Sequence, residues 1–301
     1  MAGSFKTCEI CVDYLDLERC PIAKNKSKRE ALEAHQNNNW VICHDFQLKF
    51  NPEKFNPKTV GDHIKKRYRF FSQDEKDHIW VYNPEKGIWE PKGIEIIQAE
   101  TLKLLDEDFK REKVNDVIKY IQYSSYFQIK NFGGPANKVV MQNGVYDLLT
   151  NAFEEQFNPD LYAITSIPVK FDKSADCPSI KKFLSEIVNE IDIAKLIEFA
   201  GYCLFKAYPI ARFVILVGEC ANGKSTYLEM LKNFLGPENV SGLTLQQLSE
   251  NTGFNEAELF GKLANICGDI PERALKDTGI LKKLTGKDII HANRKCKAIS
   301  R

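Results

Sequence analysis

The sequence predicts an α/β fold in three parts. A parallel sheet flanked by helices, incomplete at its C-terminal end, fills 177–301; a mixed α+β domain fills 51–176; a small cysteine-bearing unit fills 1–50. Three observations predict this. First, the apolar run Phe213-Val-Ile-Leu-Val217 leads through a glycine-bounded loop into a stretch with apolar residues at 227, 228, 231, 234 and 235, which reads as strand, loop, helix. Second, a further apolar run from Lys262 ends in Gly268-Asp269, as a neighbouring strand of the same sheet would. Third, residues 51–176 alternate turn-bounded β patterns with stretches of helical spacing.

The bulk properties set limits on function. A chain of 301 residues with 43% hydrophobic content can bury sizeable cores in two domains and a small third unit. The formal net charge of +1 gives no global argument for nucleic acid, so any basic surface is local. No apolar run approaches the length of a membrane span, and the start, Met-Ala-Gly-Ser-Phe-Lys-Thr-Cys, carries no apolar signal core. The expectation is a cytoplasmic protein with no membrane partner. Nine cysteines, an odd number, fit reduced thiols rather than a disulfide framework.

Taken in order, the N-terminal unit carries Cys8-x-x-Cys11 and then Cys20-Pro21, followed by a charged helical stretch from Lys24 to about Gln36. Cys8, Cys11 and Cys20 are candidate Zn²⁺ ligands, with His35, Cys43 or His44 as a fourth. A second C-x-x-C pair is missing, so three ordinary reduced cysteines in a short appendage is the competing reading.

In the middle domain, Asn56-Pro57 opens a short helix from Val60 towards Phe71 with a basic face at Lys65, Lys66, Arg67 and Arg69. That face is either solvated or touches nucleic acid. Ile79–Tyr82 and Ile88–Glu90 read as a hairpin, with Trp80 and Trp89 as cross-strand packing rather than base-stacking platforms. Helices are expected at about 93–109 and 112–125. Val139 to Leu148 is a second turn-centred β unit, with Asn143-Gly144 supplying the positive φ angles of its turn.

From 177 onward, Cys177-Pro178 marks a helix start, with Ile180, Phe183, Leu184 and Ile187 at helical spacing, and Ile193 to Phe205 is a second apolar stripe. Leu235-Gly236-Pro237 stops the helix that follows the loop, and short helical pieces are expected at Thr244–Leu248 and Phe254–Phe260. The chain ends in a local basic patch of Lys282, Lys283, Lys287, Arg294, Lys295, Lys297 and Arg301 against one acid, a composition suited to a phosphate backbone.

The loop itself reads Gly218-Glu219-Cys220-Ala221-Asn222-Gly223-Lys224-Ser225-Thr226. The two glycines permit backbone conformations a Cβ would forbid, so the loop amides can turn inward on phosphates at the positive end of the next helix. Lys224 supplies a cation to the β- and γ-phosphates, and the Ser225 hydroxyl is placed for Mg²⁺. Asp269 is the candidate second Mg²⁺ contact, or a helix cap, since Ile-Pro-Glu-Arg follows it. Glu272 would orient an attacking water, or serve as a first-turn helix acid. ATP and Mg²⁺ are therefore the expected ligands.

Several motifs then fall in one order. They are Asn-Gly-Val-Tyr-Asp-Leu at 143–148, Cys-Pro-x-Ile-x-x-Phe-Leu at 177–184, Gly-Tyr-Cys-Leu at 201–204 and Gly-x-x-x-Asn-Gly-Lys-Ser-Thr at 218–226. Gly-Lys-Leu-Ala-Asn-Ile-x-Gly-Asp-Ile-Pro at 261–271, Leu-Thr-Gly-x-Asp at 284–288 and Ala-x-x-Lys at 292–295 complete the series. From about residue 55 to the last, this resembles the superfamily 3 helicases of the phage, plasmid and poxvirus-type primase–helicase family.

The resemblance implies a P-loop ATPase core behind a helicase-associated domain. It implies a homo-oligomer, commonly a hexameric ring, that translocates on single-stranded or forked DNA, with a primase as a partner, and in the host cytoplasm if viral. Gly218 to Ser225 match the family's Walker A loop, Asp269 its Walker B acid, and Lys282 with Thr285 to Asp288 its B′ motif. Lys295 matches a lysine near the DNA-facing hairpin, with Lys282 and Lys297 as further DNA contacts.

The sequence departs from the family pattern in three places. Position 287 is Lys where a second glycine is usual, and residues 1–50 are too few for a primase domain. The sequence also stops at Arg301, before the family's motif C asparagine and arginine finger, so an exposed sheet edge or a partner is expected. The alternative reading is an ATP- and DNA-binding module without turnover of its own.

Overall fold

The computed structural model describes residues 55–73, 78–106, 109–129, 132–250, 254–269 and 278–286. The chain divides into two units, Met1–Lys49 and Phe50–Arg301, and every described residue belongs to the second. The candidate zinc ligands Cys8, Cys11 and Cys20 therefore lie outside the described residues, as do Glu272, Lys295 and Lys297.

The middle region opens with helix α1, Pro57–Arg67. Asn56 caps it by accepting from the Lys58 amide at 2.9 Å, and Pro57, which has no N–H to leave unpaired, takes the first position. The helix ends at Arg67, and Phe70–Ser72 is strand β1, so the expected continuation of the helix to Phe71 is corrected. Phe70 and Phe71 are both buried because they serve opposite faces of a sheet, which a helix could not offer them.

Strand β1 pairs antiparallel with β2, Ile79–Asn83, which pairs antiparallel with β3, Ile88–Glu90. Helices α2, Gly93–Leu105, and α3, Arg111–Ser124, follow. One sheet face packs on the helices through Val60, Ile64, Phe70, Ile79, Val81, Ile97, Val117 and Ile121. Gly61 is needed where α1 meets α3, because a Cβ there would lie 2.4 Å from the Tyr120 ring. The other face carries Phe71, Trp80 and Trp89 beneath Phe132 and Tyr162, and the Trp89 indole donates to the Pro159 carbonyl at 2.9 Å. Both tryptophans are thus packing residues, as the hairpin reading expected.

A second antiparallel sheet consists of β4, Lys138–Met141, β5, Gly144–Asp147, and β6, Phe153–Glu154. Its turn differs from expectation: Met141 pairs with Gly144, which leaves Gln142 and Asn143 as the turn residues. Glycine is required at 144 by β6, since a Cβ would sit 2.2 Å from the Glu154 carbonyl oxygen. Asn143 acts through its side chain, accepting from the Phe171 amide at 2.8 Å and donating to the Phe171 carbonyl at 3.0 Å. Asp147 accepts from the Asn137 side chain and the Leu149 and Thr150 amides, which with Lys138 hold its carboxyl far below the usual range.

The C-terminal region consists chiefly of helices: α4, Pro178–Ile187, α5, Glu190–Cys203, and α6, Lys224–Leu235. They surround a core of Leu184, Cys203, Tyr227, Leu231, Leu235 and Ile266. Strand β7, Val240–Ser241, pairs in parallel with β8, Ala264–Asn265. Between these strands lie the short helices α7, Leu245–Ser249, and α8, Phe254–Ala257; after them comes α9, Gly279–Gly286.

Here the expected fold is corrected. Among the described residues the parallel sheet is this two-stranded pair, and Phe213–Val217 forms no strand. The reason is a lack of neighbours. A run that is apolar at every residue suits an interior strand covered on both faces. No ladder hydrogen bond among the described residues reaches 213–217, and Val217 is 90% exposed and Phe213 50%.

Candidate functional site

The best-formed constellation lies between that exposed run and α6. Three core residues anchor the helix: Tyr227, Leu231 and Leu235 are all buried. The Tyr227 hydroxyl donates to the Leu196 carbonyl at 2.8 Å, fixing α6 against α5, and burial pushes its pKa up to about 12. Past Leu235 the helix stops as expected, and buried Asn239 donates to the Leu235 carbonyl at 2.8 Å and the Ser166 carbonyl at 2.7 Å. The N-terminus of α6 is thereby held, and its first turn faces outward with Ser225 and Thr226 exposed.

The loop ahead of α6 has the shape its glycines allow. Gly223 caps the helix at φ +84°, a left-handed conformation, and Ala221 has φ +59°. A Cβ at 223 would also lie 2.6 Å from Ile187 Cγ2, so both conformation and space demand glycine there. At 218 a Cβ would lie 2.1 Å from the Asn222 Nδ2. The Lys224 ammonium sits within the loop, donating to the Gly218 carbonyl at 2.9 Å, the Glu219 carbonyl at 2.7 Å and the Asn222 Oδ1 at 2.7 Å. Glu219 and Cys220 are exposed at the tip.

This donor set fits a polyphosphate. It offers one ammonium, two hydroxyls, the free amides of a helix start, and glycine positions that a side chain would fill.

Asp269 is exposed, four residues past β8. Ile266 in the same segment shares a core with Tyr227, Leu231 and Leu235, so the segment packs on the helix that carries Lys224. The Asp269 carbonyl accepts from the Cys267 thiol at 2.9 Å. Among the described residues no hydrogen bond or ion pair joins the Asp269 carboxylate to Lys224 or Ser225. Lys282 and Lys283 are exposed on α9, and the Thr285 hydroxyl donates back to the Leu281 carbonyl at 2.9 Å.

One residue of note had no signal in the sequence. Lys206 is half-buried and donates to the Gly133 carbonyl at 2.9 Å, and burial lowers its pKa to about 8. Its partner is 73 residues away, which no local pattern reports. Asn222 was legible only as a loop member, not as the residue that touches Lys224. The cysteines among the described residues are free thiols, with Cys177 and Cys220 exposed, Cys267 half-buried and Cys203 buried. Among the described residues no helix is long and apolar enough to cross a membrane.

Comparison with known proteins adds two findings. No curated protein matches the chain. Residues 216–299 match a model described as Family of unknown function (DUF5906), a span that includes the whole Gly218–Thr226 loop and the basic end of the sequence up to residue 299. Residues 55–189 match the model described as D5 N terminal like, so the middle region is similar to a domain from the N-terminal part of phage and viral primase–helicase proteins.

Proposed function

We propose that this chain is the ATP-binding helicase portion of a virus- or plasmid-type replication system, coupling ATP hydrolysis in a ring assembly to movement along single-stranded DNA. The carrying observation is the Gly218–Thr226 loop, with Lys224 on three loop oxygens at the start of a well-anchored helix, in a chain whose residues 55–189 match a primase–helicase-associated domain.

In this reading Lys224 stabilises charge on the phosphates, Ser225 and Asp269 hold Mg²⁺, and Glu272 orients water. Lys282, Lys295 and Lys297 contact the DNA backbone. Zinc at Cys8, Cys11 and Cys20 belongs to the same proposal as a structural element.

The exposure of Phe213–Val217 favours a second reading, in which this chain alone binds nucleotide and DNA without turnover. One assay separates the two. ATP hydrolysis is measured with and without single-stranded DNA, for the natural chain and for Lys224→Ala. DNA-stimulated turnover that falls by several orders of magnitude in Lys224→Ala supports the helicase reading. Lys224-dependent nucleotide binding without turnover supports the second. Turnover that survives Lys224→Ala intact overturns both.

A further inference from the structure

We infer that Asn222 is a latch on Lys224: its side-chain oxygen takes the third donor of the ammonium, and a phosphate oxygen must displace it. This rests on the reading of Gly218–Thr226 as a nucleotide-binding loop and assigns a positioning role within it.

An ammonium has three N–H donors. Here all three have acceptors, at 2.9, 2.7 and 2.7 Å, so none is left for an incoming anion. Two acceptors, the carbonyls of Gly218 and Glu219, belong to the backbone that forms the loop. Moving them would mean remaking the turn. The third is the Asn222 amide oxygen, carried on an exposed side chain that rotates about its own bonds. It is the acceptor that can leave.

The close approach at Gly218 describes the same arrangement from the other side. Asn222 lies across the α-carbon of Gly218, with Nδ2 only 2.1 Å from where a Cβ would stand. With its nitrogen over Gly218, its oxygen faces Lys224. The first glycine of the loop is thus the seat of the latch, a role separate from backbone freedom, and Asn222 ties the loop's first residue to its lysine.

The chemistry makes the sign of two substitutions opposite. Asn222→Ala removes the competing acceptor and leaves one N–H of Lys224 to water, so a nucleotide gains access at lower cost. Asn222→Asp substitutes a carboxylate, which holds the ammonium by charge as well as hydrogen bonding and repels phosphate. A residue that merely shaped the loop would weaken binding in both variants.

The test is calorimetric titration of the full chain with AMP-PNP and Mg²⁺, alongside thermal melting of each variant to verify folding. Binding three- to tenfold tighter in Asn222→Ala, and at least tenfold weaker in Asn222→Asp, is the expected result. Unchanged or weaker binding in a folded Asn222→Ala overturns the latch, as does equal behaviour of the two variants. Lys224→Ala is run in parallel. If it binds AMP-PNP as the natural chain does, the nucleotide-loop reading itself fails; if it loses binding while Asn222→Ala does not tighten it, the latch alone fails.

Discussion

Residues 55–171 and residues 178–286 use the same materials with different results. In the first region every apolar strand has neighbours: β1 to β3 form one antiparallel sheet, β4 to β6 another, and both carry buried faces. In the second the helices pack well on Tyr227, Leu231 and Leu235, yet in the most strand-like run, Phe213–Val217, Leu216 alone reaches that core and the other four residues lie exposed. The difference shows what each element needs. A helix satisfies its own backbone and asks only for a cover over one stripe. A strand satisfies nothing alone, and its amides and both faces depend on other segments or on another chain.

The sharpest way to break this comparison is at the two cores. Ile121, fully buried between α3 and the first sheet, should cost about 2–5 kcal/mol of stability as Ile121→Ala, measured by denaturant unfolding. A loss below about 1 kcal/mol would mean that the first region is not the well-packed one.

A middle-sized effect is expected where the regions share a contact, at Lys206 and the Gly133 carbonyl. Burial lowers the folded pKa of Lys206 to about 8 from an ordinary 10.5. Between those values the unfolded chain binds more protons than the folded one, so stability rises with pH across that window. Below pH 8 the cost of burying the charge is fully present. Lys206→Met should flatten the rise, seen as a gap between the melting temperatures of the two proteins that narrows from about pH 8 to 10.5. Parallel curves would place the ammonium in water.

The smallest effect sharpens the contrast most. Val217→Ser, at the most exposed apolar position of the loop-leading run, should change the stability of the isolated chain by no more than about 0.5 kcal/mol. A loss comparable with that of Ile121→Ala would show that Val217 is covered in solution, by a second copy of the chain.

Much of the first region was legible in the sequence because its determinants are local. The helix expected at about 112–125 is α3, Arg111–Ser124, and the run from Ile79 to Glu90 places a hairpin. Asn56-Pro57 marks where α1 begins. The misreadings share one cause. Gly144 reads as half of an Asn-Gly turn, but it pairs with Met141, and the side chain of Asn143 beside it clamps Phe171, 28 residues on. Phe70 and Phe71 extend a helical pattern until one sees that a sheet waits on both sides of them.

At the candidate site the turn at Gly223 and the helix after it form where the pattern placed them, because glycine, lysine and helix start lie within nine residues. The strand before them did not form. Apolar patterning reports that residues favour burial; it does not report whether the described chain holds anything to bury them. Glu272, Lys295 and Lys297 fall outside the described residues, and of the expected DNA contacts only Lys282, exposed on α9, is described.

The aromatic cluster under the first sheet also decides how the molecule can be watched. The chain has three tryptophans: Trp80 and Trp89 are buried in the first region, Trp40 lies outside the described residues, and none occurs after residue 89. Trp89 stacks on Tyr162 with ring centroids 5.6 Å apart, and Trp80 meets Phe132 edge-on at 4.8 Å. The emission of Trp80 and Trp89 is therefore a gauge of the region that resembles the D5 N-terminal domain. The loop-bearing region is instead followed in the tyrosine band, through Tyr227, whose buried hydroxyl resists ionisation until α6 comes away from Leu196.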